Sequence, residues 1–438
     1  MIRYKTKFET IIQNTVFELL EDKEKRLVRD IAFYYKLTHQ DLKFLCEVVK
    51  DLSTWDIDYI RDLSLIFDFK DDFSDNSKNI DVKNPKEEKK KVLSKLKAYH
   101  EELKCSKKEY VASNKEISKE EYKEENKEIS IENLKCVKKD IDASIFSSCP
   151  VYSEKTICCG LKTLDVVQNC PFNCSYCTIQ TFYGEDFIFV NNLKEKLATL
   201  NLDKKKLYHI GTGQSSDALV WGNKFNVLDA LVEFANKNQN VLLELKTKSS
   251  NIKYFKSSII PKNIVCSWSL NTQKVISNEE LGTAPLKERL AAAKMLALLG
   301  IKVAFHFHPI IYYAGWEEEY KELVDCIESN FSPNDISFIS FGSLTFIKPV
   351  IKKIREKKIK TKILQMPMAH DPNGKITYPT DLKIKLYKTL YNYFEKFHNK
   401  TYFYLCMETR EIWEEVFGFC YKDNDAFLKD FLKKTLKF

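Results

Sequence analysis

No apolar run in these 438 residues is long enough to cross a bilayer. Runs such as AAAKMLALLGIKVAF (291–305) are broken by lysine and fall short of the roughly 20 residues a spanning helix needs. An N-terminal signal peptide is also lacking, so the thirteen cysteines point to a reducing compartment where thiols stay free or bind metal, and a cytoplasmic location is expected. Charge of one sign is not in large excess: 70 Lys and Arg against 62 Asp and Glu leave +8, which suits a polyanionic partner without requiring one. Much of the lysine lies in a mixed acidic and basic tract, so a solvated charged surface accounts for the balance equally well. The 44% of hydrophobic residues can fill a sizeable core, and the length allows two to three domains.

The chain is organised around Cys170-Pro-Phe-Asn-Cys174-Ser-Tyr-Cys177, a C-x3-C-x2-C loop just after the apolar run LDVVQ (164–168). Three thiolates on one tight loop can hold three irons of a [4Fe–4S] cube and leave the fourth open to a small molecule. A zinc knuckle short of one ligand, or three buried free thiols, are the plainer readings. Zinc calls for four ligands, often as two C-x2-C pairs, and no second pair is present.

Residues 1–68 read as helices, with apolar residues at three- and four-residue spacing in FETIIQNTVFELL and LKFLCEVVKDL, and form a small helical accessory domain. From 69 to 142 the composition turns to Lys, Glu, Asp, Asn and Ser, which buries too little to offset ordering entropy, so a charged linker or marginal solvated helix is expected. From 143 to 438 short apolar strands alternate with amphipathic helices. The strands are expected at 164–168, 206–213, 241–248, 264–270, 302–311, 336–344 and 402–408. Helices are expected at 225–238, 285–300 with Gly300 as C-cap, 315–330 and 378–397. Such units give right-handed crossovers and a parallel sheet, an α/β fold whose expected form is a partial or full (β/α) barrel with chemistry at the C-terminal strand ends.

Polar groups stand where these strands stop. Ser216 and Asp217 follow the second, Lys248 ends the third, Ser269 and Asn271 end the fourth, and His306 and His308 lie along the fifth. A barrel would gather them over the three cysteines, although a surface lysine or a core histidine is the bland reading of each alone.

The loop CPFNCSYC, the segment LLELKTKS, CSWSLN, the block ELGTAPLKERLAAAKMLALLGIKVAFHFHPIIYYAGWEEEY and finally YFYLCMETREIWEEVFGF are similar, in order and spacing, to the spore photoproduct lyase family of radical S-adenosylmethionine (SAM) enzymes over about 150–425. The resemblance implies a radical-SAM partial (β/α) barrel with an N-terminal helical extension, and a carbon–carbon lyase that repairs DNA. On it, Cys170, Cys174 and Cys177 are metal ligands to a [4Fe–4S] cluster, and Tyr176, Ser216, Lys248, Ser269 and Asn271 lie around SAM. Lys248 suits the methionine carboxylate. An electron donor such as flavodoxin or ferredoxin is implied, and a DNA lesion would have to be extruded to reach a barrel mouth.

The sequence departs from the family pattern in places. The cysteine that returns a hydrogen atom to the product radical, two residues before a Ser-Asp pair, is Gln214 here, and an amide has no weak X–H bond to give. The tyrosine that follows the third cluster cysteine is Thr178. Tyr176, Gln214, Cys266 and Cys406 are therefore the candidate catalytic positions, the two cysteines as replacement donors, each with the reading of a small buried apolar residue beside it. Cys158 and Cys159 would either approach the site or ligate a second metal. The lesion-binding hairpin corresponds to 366–378, with His370 and Asp371 near the expected arginine. Gln214 leaves open a family member with a different nucleic-acid or small-molecule substrate. An Fe–S nucleic-acid-binding protein without turnover is the remaining alternative.

Overall fold

The computed structural model describes residues 2–67, 85–110, 131–149, 152–184, 186–357 and 359–436. The chain divides into two compact units, Met1–Lys108 with Lys348–Pro367, and Glu109–Ile347 with Met368–Phe438.

The first unit is helical, with helices at Ile2–Ile11, Asp22–Tyr35, His39–Thr54, Ile60–Ile66, Pro85–Cys105 and Lys348–Glu356. Two of them begin on capping boxes, Glu21 with Glu24 and Thr38 with Asp41, which satisfy amide groups no helical carbonyl can reach. Their apolar faces bury Phe8, Val28, Leu42, Leu45, Trp55 and Leu96. Pro85–Cys105, inside the stretch expected as a charged linker or marginal solvated helix, is a helix with a packed face: Val92 and Leu96 are buried, and Lys89 Nζ lies 3.0 Å from Asp41 Oδ2. Residues 348–367, expected within the catalytic segment, group with this unit. Arg355 lies against Asp51 there, Nε 2.7 Å from Oδ1.

The second unit carries an eight-stranded sheet: β1 Phe146–Ser148, β2 Lys162–Leu164, β3 Tyr208–Thr212, β4 Val241–Thr247, β5 Ile264–Ser269, β6 Lys302–Ile310, β7 Ile336–Ser343 and β8 Tyr402–Leu405. Each strand lies beside its neighbour in sequence, and all pairs are parallel except β1 with β2. This is the expected partial barrel, and all seven expected strands are present. The first is split: only Leu164 belongs to the sheet, and Val167–Gln168 pairs instead with Phe187–Val190, a short strand also paired with Cys136–Lys139.

Strands β4, β5 and β6 are almost wholly buried because helices cover one face and the barrel interior the other. Period-two alternation turns Glu244, Ser267, His306 and Ser340 to the inside, where they bond one another, and Cys266 the other way, between Leu245 and Val303 in register. The C-terminal helix Asn424–Leu436 packs on the interior: Phe431 meets His209, Phe338 and Tyr404 with ring centroids 5.0–5.5 Å apart. The expected helices stand at Val227–Lys237, Leu286–Leu298, Trp316–Asn330 and Thr380–Tyr393. Gly300 follows the second of these at φ +75°, its amide bonded to Ala297 O, and serves the expected C-cap function. Among the described residues no helix is long and apolar enough to cross a membrane.

Candidate active site

At the C-terminal ends of the strands a cavity of about 340 Å³ is lined by Cys170, Cys174 and Cys177, by Tyr176 and Thr178 of the same loop, and by Gln214, Asp217, Lys246, Lys248, Ser269 and His308. Local chemistry shapes the loop. Asn169 takes φ +71° and its own side chain accepts from the Cys170 amide, while the Cys177 amide bonds back to Cys174 O. Its far side is pinned to a short antiparallel pairing of Asn173–Cys174 with Glu280–Leu281. Ser175 donates to Glu279 through both amide and hydroxyl, and Tyr176 donates its hydroxyl to Glu280.

Burial holds the Cys170 and Cys174 thiols well above their usual range, with Asp217 adding for Cys170 and Lys248 opposing for Cys174. Such thiols are poor nucleophiles on their own and become thiolates by binding metal. Among the described residues no three His, Cys, Asp or Glu side chains converge tightly enough for a single metal ion. Thiols that each bind a different iron of a cube need not converge on one point, and three of them lining one wall of one cavity form a suitable donor set.

Glu280 organises the charge beside the loop. Burial pushes its carboxyl up, but Lys248, Arg289 and hydrogen bonds from Tyr176 and Asn271 outweigh that and hold it down, at about 2. Lys248 Nζ stands 3.5 Å from one carboxylate oxygen and Arg289 Nη2 2.7 Å from the other. Lys248 lines the cavity with Lys246 and Lys375 against Asp217, a positive surplus suited to an anionic group. Asp217, kept above its ordinary range by burial, accepts from the Lys248, Leu219 and Val220 amides and the Thr247 hydroxyl, and so fixes the end of β4.

Not every expected residue reaches the cavity. Asn271 sits behind it, donating 2.9 Å to Glu280 and accepting from Tyr320. Ser216 accepts from Trp221 Nε1 at 2.9 Å and lines a small side chamber. Cys266, fully buried on the outer face of β5, lines none of the described cavities. Cys406 lines a second chamber of about 100 Å³ together with Cys149, Cys158 and Cys159, and this chamber shares Gln214, Lys246, His308 and Met407 with the main cavity. The adjacent Cys159 thiol lowers the Cys158 pKa to about 7. His306 lies deeper, against Glu244 and Ser340, lowered to about 4 by burial and by Lys246.

In the hairpin Ala369–His370 and Ile376–Thr377, His370 is exposed and Asp371 accepts from the Asn373 and Lys375 amides as a turn residue. Lys375 is the hairpin residue that lines the cavity. Lys246, Lys375 and Glu280 are site residues that reading the sequence missed. Period two along Glu244, Lys246 and Lys248 carried the signal for the first.

A family profile described as spore photoproduct lyase matches residues 160–404. The chain belongs to the spore photoproduct lyase family. Spore photoproduct lyases of Clostridium acetobutylicum and Bacillus subtilis are 26% and 25% identical to it over 199 and 203 residues, 44% of this chain and 59% of each relative. The chain thus spans about three fifths of the length of the curated relatives it matches. A solved spore photoproduct lyase, a cysteine-to-alanine mutant with dinucleoside spore photoproduct, superposes with a TM-score of 0.53 at 23% identity over 62% of this chain and 82% of that one. Another solved mutant holds AdoMet and the dinucleoside spore photoproduct, with a TM-score of 0.52. The likeness to these structures is one of fold, a partial barrel as described above.

Proposed function

We propose that this family member is a radical-SAM lyase that reverses a UV-induced thymine lesion in DNA, with an electron donor of the flavodoxin or ferredoxin type. The observation that carries it is the convergence, at the strand ends of a spore photoproduct lyase barrel, of Cys170, Cys174 and Cys177 with Lys248 and Ser269 on one cavity. The relative solved with AdoMet and the dinucleoside lesion supports both ligands. When bound, a [4Fe–4S] cluster on the three cysteines together with SAM supplies a radical able to take a hydrogen atom from the substrate.

The chain's own residues bind and orient. Lys248, held by Glu280, would pair with the methionine carboxylate, and Ser269 would offer a donor and an acceptor to the zwitterion; Tyr176, its ring 5.7 Å from Lys248 Nζ, fixes that cation. Ser216 and Asn271 act one layer back, through Trp221 and Glu280. For the hydrogen returned to the product, Gln214 has none to give, and Cys406 is the better placed thiol because its chamber abuts the cavity. There an S–H bond breaks, a C–H bond forms on the substrate radical, and a thiyl remains on Cys406. Cys266 faces away.

Gln214 also favours a second reading, the same radical chemistry on another base or small molecule. Anaerobic reconstitution followed by SAM and dithionite, with and without an oligonucleotide bearing the spore thymine dimer, separates the two. Thymine restored in step with 5′-deoxyadenosine supports the lyase. Deoxyadenosine formed with the lesion intact supports the second reading, and no SAM cleavage sinks both.

A further inference from the structure

We propose that Gln214 and Lys246 together form a subsite that reads the imide edge of a pyrimidine-2,4-dione ring, an inference that rests on the proposed action on a nucleic-acid base. Three side chains at period two on β4 and just after it, Glu244, Lys246 and Lys248, have different fates. Glu244 is saturated by His209, His306 and Ser267. Lys248 has Glu280. Lys246, between them, has no hydrogen bond or ion pair from its ammonium among the described residues, and it borders both chambers. Burial lowers its pKa, the direction expected of a cation whose water has been removed. Lys246 is half-buried on the cavity wall, and a ligand oxygen there would give its ammonium the acceptor it lacks.

The backbone that leads into Gln214 is laid on Lys246 by Gly213. That glycine takes φ +99°, and a Cβ on it would stand 2.8 Å from Lys246 O and 3.0 Å from Lys246 Cβ, so the loop after β3 lies directly on β4 at this point. The Gln214 carboxamide likewise has no hydrogen-bond partner among the described residues and lines both chambers. Phe172, Pro309, Leu344, Phe346 and Met407 supply apolar walls around the two polar heads.

A carboxamide presents a donor next to an acceptor. An imide edge presents acceptor, donor, acceptor. Gln214 can accept from N3–H and donate to one carbonyl while Lys246 donates to the other, leaving no polar atom unmatched. A phosphodiester would satisfy Lys246 and the Gln214 N–H2 but has no donor for the Gln214 oxygen, and the apolar walls suit a ring better than a phosphate. Cytosine presents donor, acceptor, acceptor, which the pair meets only with the carboxamide turned over, and its N–H2 then stands next to the Lys246 ammonium, donor against donor, so the cytosine edge is the weaker match.

The test uses the full chain, reconstituted anaerobically, with SAM and no reductant. Binding is measured for thymidylyl-thymidine, its N3-methylated form, the dicytidine analogue and an abasic dinucleotide with the same phosphate. Thymidylyl-thymidine is expected to bind at least about tenfold tighter than the other three. K246M and Q214L are each expected to weaken it and to erase the preference, with iron content confirming that the variants fold. Equal binding of the N3-methylated form overturns the inference. So does an abasic dinucleotide that binds as tightly as the parent and is lost in K246M, since the cation would then be reading phosphate. If no dinucleotide binds while the reduced parent chain still cleaves SAM, the subsite is wrong and the radical-SAM reading stands. If the imide preference appears without SAM cleavage, the reverse holds.

Discussion

At the scale of single residues, charge in this site is arranged around Glu280, which shares its two oxygens among Lys248, Arg289, Tyr176 and Asn271. Replacing it by glutamine leaves Arg289, fully buried, and Lys248 facing a neutral amide. Breaking a buried pair from one side costs about 3 kcal/mol or more, so Glu280→Gln is expected to lose about that much in urea denaturation and to retain less iron after desalting. A stability within about 1 kcal/mol of the parent would show that Glu280 does not organise the wall. His306 carries a pH dependence. Its pKa falls from 6.5 to about 4 through burial and Lys246, so between those values the unfolded chain holds a proton that the folded chain refuses. The stability contributed by the neutral imidazole is complete above pH 6.5 and is lost as pH falls toward 4, by up to about 3 kcal/mol. His306→Gln should flatten the slope of stability over that window, and an unchanged slope would assign it to other groups. The cysteines, Lys248 and Ser269 were legible because their motifs are local. Glu280 carries no such local mark: its role depends on pairing with Cys174 across more than a hundred residues, and no local pattern encodes that.

At the scale of elements, the sheet was legible because each buried strand is a short β-branched and aromatic run bounded by turn residues, and the helices between keep a three-to-four-residue period. Two-residue pairings such as Asn173–Cys174 with Glu280–Leu281 were not legible, since their pattern is too short to have a period. The close approach of β3 to β4 is a further feature that chain pattern hides, because a glycine in a GTG run reads only as a loop. Gly213 and Gly300 separate the two costs of adding a methyl group. Both have positive φ, yet a Cβ on Gly300 meets nothing within 4 Å, whereas on Gly213 it meets the Lys246 backbone at 2.8 Å. Gly300→Ala should therefore cost about 1 kcal/mol, the conformational part alone. Gly213→Ala should cost about 1–3 kcal/mol more and weaken ligand binding at the strand ends. Equal losses for the two variants, by urea denaturation, would mean that the strand ends give way freely.

At the scale of the whole molecule, the chain leaves its barrel unit at 348, joins the N-terminal helices, and returns at 368. The sequence hid this, because KPVIKKIRE (348–356) has the same amphipathic pattern as the helices of a β/α repeat, and pattern alone does not say which core an apolar stripe enters. The N-terminal unit closes on this inserted segment through Asp51, 1% exposed, which takes Arg355 on both oxygens and His100 at 3.1 Å. Burial pushes the Asp51 carboxyl up, but Arg355 and His100 hold it below its ordinary range, so it folds as an ion. Arg355→Ala strands that charge, with only His100 to meet it, and is expected to destabilise the N-terminal unit by about 3–5 kcal/mol. If the units unfold separately, calorimetry of the variant should show one transition moved down and the other in place, with the iron content after reconstitution unchanged. A variant in which both transitions shift together, and iron is lost with them, would mean that the inserted segment couples the two units into one cooperative body and that neither can be truncated without the other.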